Sequence, residues 1–218
     1  MKNLIDFAIF TLVQFFFITH VLIYLYQGGS YYHPEEVCFT YNQNYLSDLG
    51  RAVYFNGFKN PFWIFYTISL SLVGIGTALF FYITSKLLVK KSIIPVVLGI
   101  ISGISYIGIA IFMVDLYFNY HIFFGVSAFV AFLAAGISLN FMIDKEDYPH
   151  IYYTLMFLNG LLILYLLLRS VIPSSSEAEL YLKIRVIMQR VVVYSQLFAA
   201  AYILYRIKQR FFKIKIQA

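Results

Sequence analysis

The chain has 218 residues, 61% of them hydrophobic and 12% charged, with a formal net charge of +6. Soluble domains run at about 45–50% apolar and about 25% charged, so this composition excludes a disordered chain, a disulfide scaffold and an ordinary soluble enzyme. What remains is a polytopic membrane protein of one domain, in which positive charge reports topology and not a nucleic-acid partner.

A bilayer core about 30 Å thick requires about 20 consecutive apolar residues. Six runs qualify, at 4–26, 62–88, 93–114, 120–143, 151–172 and 184–205. The predicted fold is therefore an all-α bundle of six transmembrane helices, forming a single integral membrane domain over 1–218. The first run is too long for a signal-peptide core and lacks a small-residue cleavage site, so it is read as a span. With both termini inside, the inner segments hold ten basic residues: Lys2, Lys86, Lys90, Lys91, Lys145, Arg206, Lys208, Arg210, Lys213 and Lys215. The outer side holds six: Arg51, Lys59, Arg169, Lys183, Arg185 and Arg190. That bias predicts cytoplasmic termini in a multi-pass protein of the cell membrane, with the basic tail against anionic lipid.

Between the first two runs lies the longest loop, 27–61, rich in Tyr and Asn. Its composition predicts a packed loop, and Leu46, Leu49, Val53 and Tyr54 have spacings that suit a short interfacial helix. Trp63 fits an interfacial anchor. In the third run Gly99 and Gly103 form a G-x-x-x-G, which serves either a helix-packing dimer or, as we prefer, packing on the small residues Ala128, Ala131 and Ala135 of the fourth run.

Sorted by depth, the polar residues are asymmetric. Mid-span groups are neutral: Gln14, Ser69, Asn159, Ser195 and Gln196. Ionisable groups gather at the outer ends, and such groups inside a membrane are costly and are paired or functional. Arg169 and Arg190 oppose the charge bias, which predicts an anionic group between them, either a carboxylate or a lipid phosphate held by bidentate guanidinium. Asp115 and His121 stand at one depth on adjacent spans, as an acid–base pair or as ligands. Asp48, with Ser47 and Arg51, closes the site from the loop, and Asn119 adds a neutral donor. A Ser47–His121–Asp115 nucleophilic arrangement can be drawn, and His20, Asp48, Asp115 and His121 are the candidates for any metal. Each has a plainer structural reading, such as an Asp48–Arg51 pair at i,i+3 or a histidine bonded to a carbonyl. No cofactor is implied.

Two segments carry a family resemblance: Asn44-Tyr-Leu-Ser-Asp-Leu-Gly50 with Asn60-Pro61, and Gly108-Ile-Ala-Ile-Phe-Met-Val-Asp115 followed by His121. Together they resemble the bacterial and archaeal membrane family called domain of unknown function 998, related to the eukaryotic Frag/DRAM/Sfk group, which includes a factor for remodelling the lipid of GPI anchors. The resemblance covers about two thirds of the chain. It implies six spans, with Ser47, Asp48, Leu49, Gly50, Asp115 and His121 as the matching positions. Met113 departs from it, standing where the pattern has proline. The function expected is binding or processing of a membrane-lipid headgroup in an outer-face polar pocket. The alternatives are a non-catalytic scaffold and a transporter of a small neutral solute, although transporters usually bind their substrates near the midplane.

Overall fold

The computed structural model describes residues 1–89, 92–173 and 176–212. It contains six long helices: α1 (Lys2–Leu25), α2 (Trp63–Leu88), α3 (Ile94–Ile111), α4 (Phe118–Met142), α5 (Pro149–Val171) and α6 (Glu179–Phe212). All six are long and apolar enough to cross a membrane, and the described residues form no strand beyond an isolated bridge between Val53 and Lys59. Each helix packs on the next and α6 returns to α1, so the bundle is a closed ring, with α2 also reaching α6 across its middle.

The helices start and stop where local chemistry requires. Pro95 and Pro149 sit at the first positions of α3 and α5, where a missing N–H has no intrahelical partner to lose. The interior is one hydrophobic cluster in which Phe80, Phe81 and Phe132 stack at ring separations of 4.8–6.1 Å. Outward faces are apolar too: Phe10, Phe17, Phe123, Phe141, Phe157 and Leu167 all lie exposed. A bundle that is apolar on both faces suits a lipid solvent.

Neutral polar groups in the middle pair helix to helix. Gln14 and Ser69 join α1 to α2 through Ser69 Oγ to Gln14 Oε1 (2.7 Å) and Gln14 Nε2 to Ser69 O (2.8 Å). Tyr106 donates to Gln196 Oε1 (2.8 Å), joining α3 to α6, and Asn159 donates to Asn140 Oδ1 (2.7 Å), joining α5 to α4. The glycine stripe of α3 packs on α2, not on α4 as the small-residue pattern suggested. A Cβ on Gly103 would stand 2.5 Å from Gly74 O, and one on Gly99 would strike the Phe81 ring. Close backbone approach at Gly74–Gly103 therefore sets the α2–α3 interface. The α4 alanines are buried as well, and α3 reaches α4 through Ser102 Oγ, which donates to Ala128 O (2.9 Å).

α6 is longer than the apolar run 184–205 and extends at both ends. Its last turns carry Arg206, Lys208 and Arg210. Lys208 pairs with Asp6, and Arg210 donates to Asp147 O and lies 4.2 Å from the Tyr148 ring centroid. The basic tail is thus partly engaged with its own chain. Lys213 and Lys215, and the topology residues Lys90 and Lys91, lie outside the described residues.

Candidate functional site

The 26–62 loop caps one end of the ring. At its centre Leu46–Gly50 forms a short 3-10 helix, and all five of its residues are buried. The expected short helix is therefore present, but it is packed into the bundle end, and Val53 and Tyr54 lie beyond it. Asn60 is the hub of the cap and uses its whole amide. Its Oδ1 accepts from Tyr54 Oη (2.8 Å) and Phe62 N (2.9 Å), and its Nδ2 donates to Leu49 O (3.0 Å) and Arg51 O (2.8 Å). Gly57 turns the loop at φ +86°, a conformation that favours glycine.

Asp48 is 3% exposed. Its Oδ2 accepts from Tyr45 N (2.8 Å), and Oδ1 lies 3.9 Å from Arg51 Nη1. Burial pushes its carboxyl up to about 6, against the opposing pull of Arg51, the Tyr45 N–H, Asn44 and Arg190. Arg51 also donates from Nε to Val53 O (3.0 Å) and lies 4.0 Å over the Phe55 ring. Asp115, in the α3–α4 connection, accepts Ala52 N on one oxygen (3.2 Å) and Val53 N on the other (2.9 Å), so it clamps the loop. His121 donates from Nδ1 to Phe112 O (2.8 Å), leaving Nε2 as the lone-pair nitrogen of the neutral ring. His20 donates in the same way to Phe16 O (2.7 Å) and stacks on Tyr194. Asn119 is exposed. Among the described residues no three of His, Cys, Asp or Glu gather as a metal site would require.

Beneath this cap lies a cavity of about 270 Å³. Tyr45, Leu46 and Ser47 form its roof, and Phe15, Leu70, Tyr106 and Phe129 its apolar floor. The polar wall is His121, Arg169, Arg185 and Gln189. Gln189 Oε1 accepts Leu46 N (3.0 Å) and so fastens the roof to α6. Arg185 Nη2 donates to Arg169 O (3.2 Å) and to Ile172 O, satisfying carbonyls at the C-terminus of α5 that no helical N–H reaches. Its Nε is buried without a partner. Arg169 hydrogen-bonds Tyr165, one turn before it. Among the described residues neither guanidinium forms an ion pair with a carboxylate.

Ser47, His121 and Arg169 are thus brought to one cavity, while Asp48, Arg51 and Asp115 hold the loop above it. Arg190 stands apart. Its guanidinium lies 5.1 Å from both the Phe39 and Tyr41 rings, donates to Asn44 O, and borders a separate groove with Ile187 and Val191. Helical geometry explains this: at about 100° per residue, Arg190 is turned about 140° from Arg185. The spacing Arg185, Gln189, Val193 marks the cavity face of α6, and that i,i+4 signal was available in the sequence. Gln189, Tyr66 and Tyr165 are the lining residues that sorting by charge passed over.

The chain matches no protein-family model, no curated protein and no solved structure.

Proposed function

We propose that this is a multi-pass protein of the cell membrane, with cytoplasmic termini, whose capped cavity binds an anionic lipid headgroup in the outer leaflet. The observation that carries the reading is the pair Arg169 and Arg185: two guanidiniums on the polar wall of the cavity, neither ion-paired to a carboxylate among the described residues. Arg169 and Arg185 are half-buried at the depth of a span, where charges are paired or functional, and phosphate is the oxyanion that a guanidinium fork fits. The positive-inside bias supports the orientation. The two motifs of the family resemblance also converge here, since Ser47 from the first and Ile109 from the second line the cavity. In this reading Ser47 and His121, which both line the cavity, act on the bound headgroup, with His121 Nε2 as the base. Asp115 holds the loop that supplies Ser47.

Native mass spectrometry of the detergent-purified protein tests this, with metal analysis alongside. Wild type should carry a phosphorus-containing lipid that falls at least tenfold in occupancy in the double variant Arg169→Gln/Arg185→Gln. Equal lipid loading of both proteins, or none on wild type after incubation with anionic phospholipid vesicles, would sink the headgroup reading.

A further inference from the structure

The glycines of the spanning helices fall into two groups. At Gly74, Gly76, Gly99, Gly103, Gly108 and Gly136 an added Cβ would strike a neighbour at 2.3–2.5 Å, so close packing explains them. At Gly125 and Gly160 an added Cβ meets nothing within 4 Å, and of these two Gly125 lines the cavity. A glycine inside a helix is unfavourable relative to alanine. No packing within the chain calls for one here; what its missing side chain provides is room.

The room faces outward as well as inward. Two cavity-lining residues of α4 are also exposed, Val126 beside Gly125 at 40% and Phe118 two turns before it at 61%. Leu166 of α5, also lining, is half-buried. The polar ties between α4 and α5 lie away from the cap, at Asn140–Asn159 and Asn140–Tyr152. Towards the cap their ring contact is Phe129 with Tyr165, at 5.1 Å, on the cavity floor. From Phe118 to Phe129 the lining extends about 16 Å along α4 at about 1.5 Å per residue, close to half of a hydrocarbon core about 30 Å thick. The volume is well above the roughly 150 Å³ of an engineered apolar cavity that stays dry and binds benzene.

We infer that the cavity opens sideways between α4 and α5 at Gly125 and takes one hydrocarbon chain of an anionic phosphate amphiphile, its head on Arg169 and Arg185 and its chain on the floor of Phe15, Leu70 and Phe129. This rests on the headgroup reading and adds the chain and its entry path.

The test titrates the purified full-length protein with hexadecyl phosphate, read by native mass spectrometry. Inorganic phosphate and ethyl phosphate serve as headless-chain controls in reverse, carrying the anion without the tail. Wild type should bind hexadecyl phosphate, Gly125→Ala should bind it less, and Gly125→Leu should bind it at least tenfold more weakly. Loss of binding in Arg169→Gln/Arg185→Gln with full binding in Gly125→Leu overturns the chain inference and leaves the headgroup reading intact. Full binding in the arginine variant overturns the headgroup reading itself. Inorganic or ethyl phosphate binding wild type as tightly as hexadecyl phosphate identifies a free-anion site and overturns the chain inference. A hexadecyl phosphate bearing a terminal diazirine gives a readout on wild type alone, independent of how Gly125→Leu folds. Labelling of Phe129, Leu70 or Phe15 is expected. Labelling confined to outward residues such as Phe123 and Val130 overturns the proposal.

Discussion

Four arginines sit at the capped end, and the chain treats them in two ways. Arg51 and Arg190 belong to the loop: one faces Asp48, bonds Val53 O and covers Phe55, and the other lies against two aromatic rings and bonds Asn44 O. Arg169 and Arg185 line the cavity, and what they bond within the chain is neutral: Tyr165 and the last carbonyls of α5. Arg51 faces a carboxylate and bonds backbone within its own chain, and Arg190, which forms no ion pair among the described residues, lies on two ring faces within the field of Asp48. Arg169 and Arg185 meet only neutral acceptors, so their charge is not balanced by a carboxylate among the described residues. The difference separates arginines that build the cap from the two that line the cavity, and rarity of charge in a span does not separate them.

The strongest way to break the building side is at Asn60, which is 3% exposed and makes four hydrogen bonds. At about 1 kcal/mol net for each bond, Asn60→Ala should cost about 4 kcal/mol and loosen the loop before the helices. Hydrogen exchange in detergent should show lost protection over Leu46–Gly50 with the helices unchanged. Uniform loss across the bundle would show that the cap and bundle are one cooperative unit. A direct contrast comes next. Arg51→Gln leaves Asp48 without its facing cation and should cost about 2–3 kcal/mol of thermal stability, whereas Arg169→Gln should cost less than about 1 kcal/mol. Equal losses in the two variants would erase the distinction.

The sequence made the six helices legible because length and apolar content suffice for a span, and bounds differed mainly where α6 carries polar turns beyond its apolar stretch. It made the capped end legible as the polar end for the same reason. What it could not assign was rotation. Arg169 and Arg190 were paired by depth, but depth says nothing about azimuth, and α6 turns Arg190 toward Tyr41 and away from the cavity. Asp115 and His121 likewise share a depth, yet their hydrogen bonds go to different backbone groups, the loop amides and Phe112 O. The G-x-x-x-G of α3 signalled close packing correctly but not its partner, because small residues occur on both neighbours and only Gly74 meets Gly103 backbone to backbone. Gly125 gave no signal at all. An absent side chain reads as packing or as space only once its surroundings are known.

The remaining effect is a pH dependence, and it sharpens the building side further. Asp48 titrates near 6 in the folded cap against about 3.8 in a free carboxyl, because burial outweighs Arg51. A folded-state value above the unfolded one means that the folded protein binds more protons between them. Stability is therefore highest below about pH 4, declines as pH rises towards 6 and is level above that, by about 3 kcal/mol in all at about 1.4 kcal/mol per unit. The diagnostic quantity is the difference between wild type and Asp48→Asn, which keeps an acceptor for Tyr45 N but cannot ionise. Thermal midpoints measured from pH 4 to 7 should fall for wild type relative to Asp48→Asn. A relative rise would mean that Arg51 and Arg190 together outweigh burial, and that Asp48 is held as a carboxylate throughout. In that case the cap would owe its loop arginines a full ion pair, and the contrast with Arg169 and Arg185 would be larger than the 3.9 Å separation of Asp48 and Arg51 indicates.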